Sequence, residues 1–166
     1  MGGLLGDPDN NSFTDWFAEE GIDLCRVMFL GRTDLARYYL MHHQVDLCLA
    51  PFPYVGGTTI SAALMMGVPT LVIKGKTLTS SGGAGRMHYV GHGEYIADSE
   101  AEFIAKGVEL SGDIEQLYKT RMALRDKALS SYNDSELIRS SMDKAFRRMW
   151  GRWCESLDPV AFEVEV

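Results

Sequence analysis

Cysteine is scarce: Cys25, Cys48 and Cys154 are the only three in 166 residues. An odd and widely spaced set builds neither a disulfide scaffold nor the C-x-x-C ligand pairs of a zinc site. A reducing compartment is the simplest reading, and each cysteine is read as a core filler because nothing marks an activated nucleophile. Positive charge is also short. Sixteen Lys and Arg stand against 23 Asp and Glu, a formal charge of −7, which excludes a protein that coats nucleic acid through a basic surface. Any phosphate must be bound locally. No apolar run is long enough to cross a bilayer, and residues 1–11 lack a cationic stretch followed by an apolar one. The expectation is therefore a cytoplasmic protein with no membrane partner.

Enough remains to build a core. At 46% hydrophobic and 23% charged residues, residues 1–166 suit a single domain. Strand-like and helix-like pieces alternate, which predicts an α/β fold, a parallel sheet flanked by helices. Residues 12–20 predict a short helix, with Phe13, Trp16 and Phe17 at helical spacing. Residues 24–30, apolar at both ends and stopped by Gly31, predict a first buried strand. A helix over 33–43 and a second strand over 45–49 follow, and then Pro51 and Pro53 force an extended loop. Ile60, Ala63, Leu64 and Met65 make a helix face stopped by Gly67, and residues 70–73 a third strand.

Residues 75–93 are glycine-rich. Beyond them the chain is helical: Ser99 with Glu102 forms a capping box for a helix to Leu110, Asp113 caps another to about Ser130, and Ser135 begins a last helix to about Cys154. Phe146, Met149, Trp150 and Trp153 fall at helical spacing, a core-facing stripe with Arg147, Arg148 and Arg152 outside. The tail, 155–166, ends in an acidic stretch that looks loosely attached.

The most informative segment is Pro53-Tyr54-Val55-Gly56-Gly57-Thr58-Thr59, just past the second expected strand. Ligands of open α/β sheets sit outside the carboxyl ends of strands, where a helix start offers free N–H groups to an anion. Gly56 and Gly57 allow close backbone approach and the two threonines add hydroxyl donors, a combination suited to a diphosphate. A glycine turn with a threonine cap is the plain alternative. Lys74-Gly75-Lys76-Thr77 is no P-loop, because Thr70 stands where its first glycine belongs. Lys76 and the hydroxyls of residues 77–81 either face a phosphate or lie in a solvated loop. His88 and His92 have ligand spacing, but Gly91 and Gly93 disfavour a continuous helix and no third ligand is evident, so no metal is expected. His42-His43 ends a helix, where an imidazole suits the dipole.

The run V-D-L-C-L-A-P-F-P-Y-V-G-G-T-T at 45–59, continued by L-M-M-G-V-P-T at 64–70, G-K-T-L-T-S at 75–80, G-E-Y-I-A at 93–97 and Met149-Trp150, resembles the catalytic region of the O-linked N-acetylglucosamine transferase family, glycosyltransferase family 41. The likeness runs from about Leu5 to Trp153. It implies the carboxyl-terminal lobe of a two-lobe, GT-B type enzyme with a Rossmann-like sheet. By resemblance, Gly57, Thr58 and Thr59 hold the donor diphosphate with Gly56 in the same nucleotide-sugar site, Gly31, Arg32 and Thr33 border the uracil, and Tyr38 occupies the position of the family's stacking histidine. The acid that holds the ribose corresponds to Ala62, the aspartate before Pro51 to Ala50, and the arginine after Ser80 to Ser81. The family's phosphate-binding lysine and first lobe are expected before these residues.

The resemblance implies the UDP-sugar-binding lobe of a protein O-glycosyltransferase, with UDP-N-acetylglucosamine or another UDP-sugar as donor and protein Ser/Thr as acceptor. No cofactor beyond that donor substrate is implied. Its expected partners are an amino-terminal lobe or tetratricopeptide repeats, and the isolated chain is expected to be inactive. A degenerate, noncatalytic module for protein interaction or weak nucleotide binding is the alternative, favoured by Ala62 and Ala50.

Overall fold

The computed structural model describes residues 11–50, 52–132 and 134–164. Pro51, the expected start of the family likeness at Leu5 and the last two residues of the tail lie outside these described residues. Three short strands, β1 (Cys48–Leu49), β2 (Thr70–Ile73) and β3 (Ile96–Ala97), form a parallel sheet in the order β1-β2-β3. Cys48 pairs with Thr70 and Leu49 with Leu71, while Val72 pairs with Ile96 and Ile73 with Ala97. All four residues of the central strand are buried, as expected for a parallel strand covered on both faces.

Helices α3 (Thr58–Met65) and α4 (Leu78–Tyr89) make the two crossovers, and α5 (Glu100–Gly112), α6 (Ile114–Tyr132) and α7 (Ser135–Cys154) follow the sheet. On α6, Leu117, Thr120, Leu124 and Ala128 are buried. Their spacing of three to four residues is that of one helix face, and it closes a core with Leu64, Met87, Val90 and Tyr95. Ser99 caps α5 through Glu102 N–H and Asp113 caps α6 through Gln116 N–H. The Glu102 carboxylate reaches back to Asp98 N–H, one residue before the expected partner. Gly67 ends the α3 segment at φ +75°, where a Cβ would lie 2.7 Å from the Arg121 carbonyl oxygen; glycine meets both demands.

Several expectations are corrected. Cys25 and Cys154, read as core fillers, are exposed. Residues 24–30 form no strand: the Asp23 carboxylate accepts from Cys25 N–H and draws Leu24–Arg26 into a 3-10 turn. The extended residues beyond it have no ladder partner among the described residues until the single bridge at Gly31. Phe29 leans instead on Phe13 and Phe17 of α1 (Asn11–Glu19), with ring centroids 6.4 and 6.2 Å apart. The second strand is shorter than expected, pairing only at Cys48–Leu49. The glycine-rich stretch holds a helix, α4, opened by a reciprocal Thr77–Ser80 capping box. Its glycines permit close packing, since a Cβ on Gly83 would lie 3.0 Å from both Ile60 and Val72. The aromatic stripe of α7 is not core-facing: Trp150 and Trp153 are 67% and 75% exposed. They line an apolar groove with Leu157 and Phe162 of the tail. That tail is tied back, its Phe162 ring 4.5 Å below the Arg148 guanidinium and its Glu163 carbonyl accepting from Arg148 at 3.2 Å.

Candidate functional site

The loop leaving β1 is pinned by buried Val55 and delivers Gly56 and Gly57 to the start of α3. Gly57, the N-cap, has no side chain to cap the helix, and among the described residues no other side chain does so, which leaves the first N–H groups and the positive end of the dipole open to a ligand. The Thr59 hydroxyl folds back over Gly56, where an added Cβ would stand only 1.9 Å from Oγ1. Gly56 is thus the residue that makes room for the threonine hydroxyl.

Beside this helix start lies a cavity of about 420 Å³ lined by Tyr38, His42, Cys48, Gly56 and Thr59 among others. Tyr38 comes from α2 (Leu35–Met41), which Asp34 caps by accepting from Arg37 N–H. Arg121 of α6 holds the segment after α2 in place. It donates to the carbonyl oxygens of His42, at 3.1 Å, and Val45, and pairs with Asp46 at 3.3 Å. The Tyr38 and His42 rings meet edge to face at 4.9 Å, and His42 Nδ1 lies 3.0 Å from the Tyr38 carbonyl oxygen. Burial, then the neighbouring Cys48 and Tyr39, raise the Tyr38 phenol above its ordinary pKa. Burial likewise raises the Cys48 thiol, against a lowering by Arg121, so it stays protonated at neutral pH and is a poor nucleophile. Thr70, another wall residue, has a buried hydroxyl with no hydrogen-bond partner among the described residues.

The fold therefore brings Tyr38, Gly56 and Thr59 to one cavity. Gly57 and Thr58 sit at the adjoining helix start. Gly31, Arg32 and Thr33 line a separate hollow of about 180 Å³ with Arg37 and Met41. Lys76, Thr77 and Ser80 border a further cavity of about 480 Å³ near Phe52, Pro53 and Asp98. The Thr77 and Ser80 hydroxyls there are engaged with each other at 2.8 Å and with the α4 N–H groups, which accounts for them as a helix cap. His88 belongs to α4, which ends before His92, with Gly91 at φ +79°. Among the described residues no three His, Cys, Asp or Glu side chains gather as metal ligands.

One polar group at this site escaped the sequence reading. Arg86 of α4 donates from Nε to Ser61 Oγ at 3.2 Å and from Nη1 to the Gly82 carbonyl at 2.9 Å, bridging α3 and α4. Its signal was obscured because residues 75–93 read as glycine-rich rather than helical. The Thr77–Ser80 capping box was the cue that places Arg86 on a helix.

No family model matches the sequence. Over 155 residues the chain is 32% identical to the rice (Oryza sativa subsp. japonica) "Probable UDP-N-acetylglucosamine--peptide N-acetylglucosaminyltransferase SPINDLY", an alignment covering 92% of this chain and 17% of that protein. The protein of the same name from barley (Hordeum vulgare) is 31% identical over 146 residues, 87% of this chain and 15% of that one. Among solved structures, a mutant O-GlcNAc transferase of Thermobaculum terrenum superposes with a TM-score of 0.80 at 26% identity, over 90% of this chain and 29% of that chain. The chain belongs to the O-linked N-acetylglucosamine transferase family. It spans about one sixth of the plant relatives' length and less than a third of the solved enzyme. Its α/β fold is that of part of a GT-B type O-GlcNAc transferase, so it is a glycosyltransferase-like module. Among the described residues no helix is long and apolar enough to cross a membrane.

Proposed function

We propose that this O-GlcNAc transferase-family chain is a donor-binding lobe, the carboxyl-terminal one, which holds a UDP-sugar for transfer to protein Ser or Thr in the cytoplasm. The observation that carries the reading is the meeting of Tyr38, Gly56 and Thr59 in one cavity beside the uncapped start of α3. Thr58, Thr59 and the first N–H groups of α3 bind the diphosphate, and Tyr38 packs against the nucleobase. In transfer the acceptor oxygen bonds to the anomeric carbon and loses its proton to a base. The diphosphate leaves with the electron pair of the broken bond, and donors aimed at its growing charge lower the barrier.

A donor lobe does not by itself hold an acceptor hydroxyl at near-attack distance, an arrangement worth a large part of the rate. These 166 residues alone are therefore expected to bind donor without sustained transfer, a facing lobe being needed to hold the acceptor. Calorimetry with UDP and UDP-N-acetylglucosamine tests the reading. Thr59→Ala weakens UDP by about 1–3 kcal/mol, the range for a hydrogen bond to a charged group. Tyr38→Phe spares binding and Tyr38→Ala weakens it. Unchanged affinity in a folded Thr59→Ala variant removes the site from this loop.

One observation favours a second reading, a noncatalytic module with weak nucleotide binding. Ala62, at the position of the family's ribose-holding acid, is only 3% exposed within the α3 core face, and its methyl group offers the ribose no hydrogen bond. Transfer of radiolabelled N-acetylglucosamine to a serine-rich peptide pool once an amino-terminal lobe is added separates the two: transfer excludes the noncatalytic module, and binding without transfer supports it.

A further inference from the structure

Arg86 is anchored without an acidic partner among the described residues. Its two hydrogen-bond partners, the Ser61 hydroxyl and the Gly82 carbonyl, are uncharged. Arg121, Arg139 and Arg147, by contrast, each pair with a carboxylate. Nη2 of Arg86 makes no hydrogen bond among the described residues, and it stands 3.7 Å from where a Cβ on Gly57 would lie. A fixed fork with one free edge and an uncompensated charge, half-buried between two helices, is preorganised for a phosphate: neutral partners hold the side chain still without offsetting its charge. Because Gly57 has no side chain, the space between Nη2 and the helix start stays open.

We propose that Arg86 is the cation of the donor site, its Nη2 binding the donor's phosphates against the first turn of α3. This assignment rests on the reading that a UDP-sugar occupies the loop before α3, and it gives that site a positive charge from within the chain. The hydroxyls of Thr58 and Thr59 then supply direction, while Arg86 supplies charge. Ser61 acts through Arg86 as a positioning residue, since its hydroxyl orients the guanidinium.

Titration of the full chain with UDP and with uridine, at low and high salt, tests the assignment in wild type, Arg86→Gln and Arg86→Lys. Arg86→Gln is expected to weaken UDP roughly 10- to 100-fold, the range for a charged hydrogen bond, and to flatten the salt dependence. It leaves uridine within about twofold and lowers the thermal midpoint only modestly, through the lost bonds to Ser61 and Gly82. Arg86→Lys restores part of the UDP affinity, having the charge without the fork. Equal losses for UDP and uridine would make Arg86 merely a strut between α3 and α4 and overturn the proposal, as would unchanged UDP affinity in Arg86→Gln. If the wild type binds uridine as tightly as UDP, the phosphate role fails while the nucleoside cavity stands. If it binds neither, the donor-site reading falls and this assignment with it.

Discussion

Replacing Gly56 by alanine isolates the contact that sets the Thr59 hydroxyl. The new methyl would stand 1.9 Å from Oγ1 and 3.3 Å from the Thr59 Cβ, so Oγ1 must move by more than an ångström while the Cβ contact is tight but tolerable. Gly56 is not among the positive-φ residues, so alanine meets no backbone objection and the strain falls on the threonine χ1. A β-branched side chain in a helix has few rotamers, and leaving its well costs about 0.5–1.5 kcal/mol. Against that, alanine reduces the freedom of the unfolded chain by about 0.4–1 kcal/mol relative to glycine. Stability is therefore expected to change by no more than about 1 kcal/mol. UDP affinity should fall by roughly 1.5–3 kcal/mol as the hydroxyl is displaced. In a Thr59→Ala background the same replacement has nothing to displace, so the two losses should be strongly non-additive in a double-mutant cycle read by calorimetry. Additive losses, or full UDP affinity in Gly56→Ala, would refute this role for the Thr59 hydroxyl.

Gly67→Ala should destabilise by at least about 2 kcal/mol in chemical denaturation, because a left-handed φ alone costs an L-residue about 1–2 kcal/mol and the methyl meets backbone, the Arg121 carbonyl, at 2.7 Å. Leu124→Ala, at a fully buried position of α6, should cost about 2–5 kcal/mol by the same measurement. The raised pKa values of Cys48, Tyr38 and Tyr95 mean that the fold favours their protonated forms. That contribution is complete below their ordinary values and lost as pH rises through the raised ones, so the thermal midpoint should fall from about pH 9 upward, and Cys48→Ala should blunt the earliest part of the fall. Thiol alkylation near neutral pH should label exposed Cys25 and Cys154 well before Cys48.

The sequence made the helices legible where a side chain caps them. Asp113, Ser99 and the Gly67 stop each act through a local hydrogen bond or a local φ, which short-range patterns encode. The fully buried run 70–73 was legible because a central parallel strand is apolar on both faces. Residues 24–30 misled because an apolar run cannot say whether a neighbouring strand is present to pair with it, and the Asp23 cap tips their start into a turn. Helix α4 was hidden by Gly82, Gly83 and Gly85: low helix propensity was outweighed by close packing on Val72 and Ile60, a tertiary effect. The stripe on α7 shows the converse limit, since periodicity identifies an apolar face without saying what covers it. At the site, Gly56 and Thr59 were legible from chemistry and Tyr38 from family likeness alone. That these three share a cavity, and that Arg86 reaches α3 from α4, depends on how the helices pack.

Backbone amide spectra of the isotopically labelled chain during titration with UDP test the central claim most directly, because they report where the nucleotide lands. A nucleotide at the donor site shifts the amides of residues 56–61 and of Tyr38 first and most strongly, saturating together along one binding curve, and Thr59→Ala weakens that curve. Shifts confined to the apolar groove of α7 and the tail, around Trp150, Trp153 and Phe162, with residues 56–61 unmoved at saturation, would contradict it.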